Sequence, residues 1–300
     1  MASFRLYNIQ LLPLDTSRTP EVGVAGYKKL FEQLEVARKA AHATKTLVEN
    51  SHKLPHDTYL APFTVFTRTR YAEGKLVKYQ KAESVIDLYT NKSLFTAAAG
   101  DAPVSNTYLF RFLFDYEAHR LAVEELGGKL PSTGPLQKAL ETILGPTAET
   151  YFPLHTLTVN LISESKALEQ ALQEATGFRR VEVSVTFPNG HELSKRLREM
   201  KDNNVHVVKA EASSNKDALM PHLPDFILEL VKASTDYGRS KFTYIKEKVQ
   251  RRQVFSTEEN PEKVQIRQKK LEQEVAFIER VWSKLRATAG LKTTAIENKQ

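Results

Sequence analysis

The sequence contains no cysteine, which excludes disulfide bonds, thiolate zinc sites and cysteine nucleophiles. It also has no apolar run of about eighteen residues, so a membrane-spanning helix is not expected. The opening MASFRLYNIQLL lacks the basic region, apolar region and cleavage site of a secretory signal. These absences predict a cytoplasmic protein that does not use a membrane as a partner.

The signatures of common enzyme classes are also missing. The sequence has no GxxxxGK[ST] phosphate loop, no GxGxxG after a strand, no HExxH and no GxSxG. Among its eight histidines, His52 and His56 are four residues apart, but Pro55 between them disfavours a helical metal-binding pair. The sequence therefore predicts no metal site and no cofactor.

Positive charge is in excess and unevenly distributed. The net charge is +7, and the segment from Arg239 to Arg286 holds thirteen basic and seven acidic residues. A smaller excess lies at 64–81, where five basic residues accompany Glu73 as the only acid. Clustered cations indicate an anionic partner such as nucleic acid or a membrane surface, and solvated faces without a partner are an equally good interpretation.

Apolar periodicity predicts a mixed α+β protein. The first half predicts a strand that ends at Pro13, a helix near residues 26–50, and antiparallel hairpins that turn at Glu73-Gly74 and at Glu117-Ala118. The next helix is expected to end at Gly145-Pro146, and strands and helices alternate after residue 150.

The C-terminal segment predicts one long amphipathic helix. Asn260 is placed as its N-cap, Pro261 as its first residue and Gly290 as its end, with apolar residues at a spacing of three to four between them. We expect a hairpin-rich region at 1–128 and a layered region at 129–300, with a single intertwined domain as the alternative.

The stretch KFTYIKEKVQRRQ, residues 241–253, is the main functional candidate. Its aromatic opening favours a strand or hairpin over a helix. In one continuous strand, Lys246, Lys248, Gln250 and Arg252 would share a face, and such a row of cations can follow a phosphate backbone. An edge strand that lysines protect from aggregation is the alternative. The nucleic-acid-binding residues predicted from the two basic segments are Lys241, Lys246, Lys248, Arg251, Arg252, Arg68, Arg70 and Lys78.

A second candidate is catalytic. Glu164-Ser165-Lys166 ends the apolar strand LHTLTVNLIS, where metal-dependent nucleases often place a metal-binding carboxylate and a lysine that steadies the phosphate. Such a site needs a further acid, which the preceding YFPLHTLTVN does not supply. The alternative is an ordinary helix start, so Glu164 and Lys166 remain weak catalytic candidates.

The order of patterns from 105 to 265 carries a resemblance to known proteins. It comprises a hairpin, LPSTGPLQKALETIL, VEVSVTFPNG before a helix, NVHVVKAEAS, and KASTDYGRSKFTYIKEKV before STEENPE. This layout resembles small uncharacterised bacterial antiphage-defence proteins and, distantly, the phage-exclusion protein RexA and the Kiwa-system protein KwaB. The resemblance implies a DNA-binding sensor or effector that works as a dimer without its own chemistry.

Together, these observations predict a non-catalytic nucleic-acid-binding component of a bacterial antiphage-defence or abortive-infection system. DNA is the expected ligand, with RNA as the alternative, and we expect a homo-oligomer with a further defence-system protein as a candidate partner. Two other functions stay open. One is a metal-dependent nuclease or toxin-like enzyme, and the other is a protein-binding scaffold.

Overall fold

The structure is a computed structural model that describes residues 1–82, 84–98, 101–187, 195–246 and 251–291. Within these ranges it contains a large and a small antiparallel sheet, a separate two-stranded hairpin and six helices. The predicted mixed α+β class, with a C-terminal helix, is confirmed. No helix in the described ranges is both long enough and apolar enough to cross a membrane.

The large sheet has eight strands, and β1 pairs with three of the others. The order is β14-β1-β8-β7-β4-β3-β2, and β9 pairs with β1 on the same edge as β14. The strands are β1 (Ala2–Pro13), β2 (His52–Leu54), β3 (Thr58–Thr67), β4 (Tyr71–Lys81), β7 (Val104–Asp115), β8 (Arg120–Glu125), β9 (His155–Leu161) and β14 (Lys263–Ile266).

Helices cover both faces of this sheet. Along β1, Tyr7, Ile9 and Leu11 point to the face covered by α1 (Val24–Ala43) and α2 (Thr133–Tyr151). Phe4 and Leu6 point to the other face, which is covered by α6 (Glu274–Thr288). Alternate residues of a strand face opposite sides of a sheet, so the apolar run in β1 is explained by burial on both sides.

The small sheet has the order β11-β10-β12-β13 and helices on one face only. Its strands are β10 (Ala175–Thr186), β11 (Val207–Ser213), β12 (Gly238–Lys246) and β13 (Arg251–Ser256). The helices of this unit are α3 (Ser165–Glu174), α4 (Lys195–Asp202) and α5 (Asp225–Tyr237). Leu168, Leu197, Leu230 and Val231 from these helices pack on the sheet, and none of the described helices covers the opposite face.

The small sheet is an insertion into the large one. The chain leaves the large sheet after β9 and returns at β14, and both strands pair with β1. Ser163 and Pro261 form a single β-bridge, and the Glu164 amide donates to the Asn260 carbonyl at 2.9 Å. The two ends of the segment 164–260 are therefore adjacent. The predicted division at residue 128 does not separate the two sheets, because β9 and β14 join β1 in one sheet.

The predicted C-terminal helix starts later than expected. Residues 263–266 are strand β14, and Val264 and Ile266 are buried against the large sheet. Asn260 is thus not the N-cap of α6, which begins at Glu274 after a loop. The reason is that the alternation of Val264 and Ile266 fits pairing with β1, a contact that local helical spacing does not reveal.

Two other boundaries differ from the prediction. Helix α2 continues through Gly145-Pro146 to Tyr151, because Thr147 and Ala148 are buried. Pro146 removes one helical hydrogen bond, whose acceptor would be the carbonyl of Thr142, and Thr142 is exposed to water. The first hairpin turns at 68–70, where the Arg68 amide donates to the Tyr71 carbonyl at 2.9 Å, so Glu73-Gly74 lies inside β4. The second predicted hairpin, β7–β8, does turn around Glu117-Ala118.

A buried polar cluster fixes α6 to the large sheet. Asp115, at the end of β7, is fully buried and accepts hydrogen bonds from the Trp282 indole N–H and, at 3.3 Å, from Arg286 Nη1. Its other oxygen accepts the amides of Glu117 and Ala118 at 2.9 and 2.6 Å. One carboxylate therefore closes the β7–β8 turn and holds the helix.

Candidate functional site

In the strands of the small sheet, apolar and polar residues alternate. The polar residues point to the face that none of the described helices covers. In β10, Val181, Val183 and Val185 are buried beneath the helices, so Glu182 and Ser184 point to the opposite face. The same alternation in β12 buries Phe242 and Tyr244 and turns Lys241 outward. This face is called the open face below.

Three cations on the open face have no acidic partner among the residues that the structure describes. They are Lys209 of β11, Lys241 of β12 and Arg252 of β13, and all three are exposed. Register places them on this face, since Lys209 lies opposite Ser184, Lys241 opposite Glu182, and Arg252 opposite Ile245. Unpaired cations stay available to an anionic ligand.

The other charges of the open face are paired with each other. Arg180 Nε lies 2.8 Å from Glu182 and 3.0 Å from Glu211, and Arg239 lies 3.8 Å from Glu258. All these pairs are largely exposed, so each contributes little to stability. Their main effect is to partly neutralise the acidic residues around the unpaired cations.

A groove of about 480 Å³ lies on this face. Its charged lining residues are Lys209, Arg239, Lys241, Glu182, Glu211 and Glu258. The side chain of Ser184 points into the same face. The groove therefore carries cations and carboxylates on its walls and can offer charge contacts to a ligand.

Aromatic side chains are absent from the open face in the described parts of the four strands. Phe242, Tyr244 and Phe255 all lie on the helix-covered face, where Phe242 stacks on Phe255 with ring centroids 5.0 Å apart. Proteins that read single-stranded nucleic acid stack bases on exposed aromatic rings. Recognition on the open face would therefore depend on charge and hydrogen bonds.

The predicted basic stretch forms a hairpin and not a single strand. Residues 241–246 belong to β12 and 251–253 to β13, and Lys248 lies outside the described residues. Arg252 pairs with Ile245, and directly opposite residues share a face, so Arg252 and Lys246 point to opposite faces. The predicted common face of Lys246 and Arg252 is wrong because the chain reverses between them.

Lys246 and Arg251 lie opposite each other on the helix-covered side of the hairpin. Lys246 Nζ is 2.8 Å from Glu174 at the end of α3, and the hydrogen bond to this carboxylate raises the pKa of Lys246. Arg251 is exposed. Of the predicted residues in this stretch, Lys241 and Arg252 are brought onto the open face.

The predicted residues of the other basic segment belong to the large sheet. Arg68 Nη2 lies 2.6 Å from Glu73, whose hydrogen bond raises the pKa of Arg68, and the Arg70 guanidinium lies 5.8 Å from the Trp282 ring. Lys78 donates to the Lys129 carbonyl at 2.5 Å. Eight residues of extended chain separate Arg70 from Lys78, about 26 Å, so they do not form one patch.

The weak catalytic candidates Glu164 and Lys166 are exposed at the start of α3. They lie in the electrostatic environment of Glu262, whose pKa is raised by burial and, to a smaller extent, by the charges of Glu164 and Asp236. Arg120 and Lys166 lower it. Arg120 also holds Asp236 at 3.0 Å. Arg120, Glu164, Lys166, Asp236 and Glu262 are together called the junction cluster below.

The junction cluster supplies acids that the sequence did not indicate, because Asp236 and Glu262 come from segments distant from Glu164. Asn8 lies directly opposite Arg120 in the adjacent strand, is 3% exposed, and has a side-chain oxygen without a hydrogen-bond partner. No group of three His, Cys, Asp or Glu residues in the described ranges is arranged to hold a metal ion.

A family model described as a domain of unknown function, DUF4747, matches residues 4–283. The chain belongs to the DUF4747 family. The match includes both sheets of this DUF4747 protein and most of α6, so the open face and the junction cluster both lie within the family region. No curated protein matches the chain.

Proposed function

We propose that this DUF4747 protein binds nucleic acid, DNA in the first place, by holding phosphates on the open face of its small sheet. The observation that carries the proposal is a set of three exposed cations, Lys209, Lys241 and Arg252, which have no acidic partner and no covering helix among the described residues. Cations of this kind can be neutralised by phosphates without first breaking an ion pair within the protein.

The spacing of these cations supports a line of phosphate contacts. Neighbouring strands lie about 4.8 Å apart and each residue advances a strand by about 3.3 Å. With the observed register, Lys209 and Lys241 are separated by about 12 Å, and Lys241 and Arg252 by about 14 Å. The line is about 25 Å long, which matches roughly seven base-pair steps of 3.4 Å along a duplex.

The remaining side chains favour binding that does not depend on base sequence. The open face has no described aromatic ring on which a base could stack, and its hydroxyls and cations suit phosphate oxygens. Glu182 and Glu211 would repel a polyanion from one side of the groove. Arg180 lies 2.8 Å from Glu182 and 3.0 Å from Glu211 and weakens this repulsion, so the expected path of the backbone runs from Lys209 past Lys241 to Arg252.

The wider role that we propose is that of a non-enzymatic, cytoplasmic, homo-oligomeric component of a bacterial antiphage-defence or abortive-infection system. This part of the proposal is supported by the resemblance of residues 105–265 to proteins of such systems. A further protein of the same system is the expected partner.

The test is fluorescence anisotropy with labelled DNA duplex, single-stranded DNA and RNA across about 50–200 mM salt. The test variant combines Lys209→Gln, Lys241→Gln and Arg252→Gln. Each lost phosphate contact should lower the slope of log K against log salt by about 0.9 for a duplex, so we expect a total reduction of about 2.7.

A matched control removes the same charge from cations that are already paired. It combines Lys53→Gln, Arg68→Gln and Lys246→Gln, whose partners are Asp57, Glu73 and Glu174. We expect its salt slope to stay close to that of the wild type. An equal reduction of the salt slope in both variants would show that only the total charge of the protein matters, which would contradict the assignment of these three cations. An absence of binding at low salt to duplex DNA, single-stranded DNA and RNA would reject the proposal.

Glu164 and Lys166 leave a second candidate function open, metal-dependent cleavage of nucleic acid. It rests on the carboxylate and lysine that follow the apolar strand LHTLTVNLIS, and no three acids of the described ranges are arranged to hold a metal ion without a further ligand. Incubation of plasmid DNA and RNA with Mg²⁺ or Mn²⁺ tests it, with Glu164→Gln as the inactive variant. Cleavage that persists in Glu164→Gln would come from another source. If the protein neither binds nor cleaves nucleic acid, the protein-binding scaffold is the remaining proposal.

A further inference from the structure

A short apolar hairpin projects from the large sheet between β4 and β7. It consists of β5 (Ser84–Ile86), β6 (Ser93–Thr96) and the turn between them, and it is called the arm. Within the described residues β5 and β6 pair only with each other, and both strands are exposed along their whole length. The exposed large apolar residues of the arm are Val85, Ile86, Leu88, Tyr89, Leu94 and Phe95.

The turn of the arm has a defined local structure. The Asp87 amide donates to the Lys92 carbonyl at 2.9 Å, and the Asp87 carboxylate accepts the amides of Tyr89 and Thr90 at 2.9 and 2.7 Å. These bonds lower the pKa of Asp87, so they are kept at neutral pH. The turn holds Leu88 and Tyr89 outward, and these two residues are 80% and 95% exposed.

An arm of this kind is not expected to be stable on its own in water. An isolated two-stranded hairpin is marginal at best, because it has no third strand or helix against which to bury its side chains. The apolar surface of the arm is also concentrated and not scattered, which is typical of an interaction site. A partner surface is therefore needed to cover it.

The charge of the arm indicates what this partner is. Its described residues include one acid, Asp87, and one base, Lys92, whereas the whole chain has a net charge of +7. Two copies of a cationic chain repel each other over most of their surface, and the neutral arm is a place where this repulsion is small. Nucleic acid or an anionic lipid surface would instead require an excess of cations here.

The area of the arm also fits a second copy. The six apolar residues are between 41% and 95% exposed. With roughly 200 Å² for a fully exposed large apolar residue, one arm exposes roughly 700–800 Å² over its two faces together, so a contact that uses both faces would approach the ~800 Å² that each partner buries in a stable interface. Two identical arms related by a two-fold axis present the same apolar residues to each other.

We propose that the arm is the homodimerisation surface of this protein, and that two copies bury the apolar side chains of their arms against each other. The large sheet carries the arm, and the proposed phosphate-binding residues lie in the small sheet. The dimer proposal specifies the homo-oligomeric part of the proposed function, but it does not rest on the proposed nucleic-acid binding, and either can fail without the other.

Sedimentation velocity between about 1 and 100 μM tests the proposal. The chain mass is 34.0 kDa, and we expect the wild type to sediment as a species of twice this mass. The double variant Leu88→Asp, Tyr89→Asp should be monomeric, with unchanged circular dichroism because the arm contributes nothing to the described cores. The matched control Leu271→Asp, Val275→Asp alters two exposed apolar residues elsewhere and should stay dimeric.

A cross-linking experiment then locates the contact. Because the chain has no cysteine, Thr90→Cys places a single thiol at the tip of the arm. A short bis-maleimide should join two Thr90→Cys chains and leave Leu271→Cys chains largely unjoined. A monomeric wild type, or a dimer that survives the Asp variant, would overturn the proposal. Binding of the wild type to anionic phospholipid vesicles that is lost in the Asp variant would assign the arm to a lipid surface instead.

Discussion

The buried carboxylate of Asp115 should be one of the most sensitive positions for stability. Asp115→Ala removes the acceptor of the Trp282 indole N–H, of Arg286 and of two backbone amides. Arg286 keeps Glu117, whose side chain is 56% exposed and therefore a weaker partner. The variant thus leaves buried donors without their acceptor at the point where α6 meets the large sheet.

The expected cost follows from the loss of one partner of a buried charge pair, which is about 3–5 kcal/mol. Domains have a total stability of about 5–15 kcal/mol, so this loss is a large fraction of it. At roughly 2–4 °C for each kcal/mol, Tm should fall by about 6–20 °C.

Urea unfolding followed by tryptophan fluorescence measures this directly. Trp282 is the only tryptophan of the chain and is 1% exposed, so its emission reports the docking of α6. Glu117→Ala is the control and should cost less than about 1 kcal/mol, because its ion pair is partly exposed. If Asp115→Ala costs no more than Glu117→Ala, the reasoning that assigns the stability of this helix to the buried carboxylate is refuted.

Three further changes have expected signs. Gly74→Ala should lower Tm, because its Cβ would lie 2.0 Å from the Thr64 carbonyl oxygen; an unchanged Tm would mean that the strand shifts freely. Gly145→Ala should lower the unfolding free energy, because residue 145 is helical and directly precedes Pro146, whose ring clashes with a Cβ on the preceding residue in the α region, and urea titration would show this. Glu262→Gln should stabilise the protein increasingly as the pH rises above 4.5, because the raised pKa of Glu262 makes its ionisation unfavourable in the folded state. The Tm difference between variant and wild type at pH 4 and pH 7 checks this, and a difference that shrinks with pH would contradict it.

Local patterns were sufficient for many elements of the fold. The alternation in VEVSVT predicted β10, and the spacing in DFILELV with Gly238 after it predicted α5 and its end. They failed where long-range pairing decides the structure. Four residues of β14 alternate, too few to outweigh a helical interpretation, and their partner strand lies about 260 residues away in the chain.

The cations of the open face were predictable in part, because they stand out in local sequence patterns. Lys241 and Arg252 stand out as cations in a strand-like segment, and outward-facing Lys209 could have been found from the alternation of VVKAEAS. Pairing of charges is not visible locally, since Glu174 lies 72 residues from Lys246, which it binds. The junction cluster was hidden too, because Asp236 and Glu262 approach Glu164 only through the insertion of the small sheet.

The placement of β9, β14 and α6 around β1 sets the order in which the chain can fold during synthesis. β1 leaves the ribosome long before two of its partners, because one of its edges is completed only by β14, and the face bearing Phe4 and Leu6 only by α6. At about 5–20 residues per second, β1 waits roughly 15–50 s for these partners. During this interval its apolar residues are a target for chaperones, whereas the small sheet, whose two ends meet, can close before the large sheet is complete.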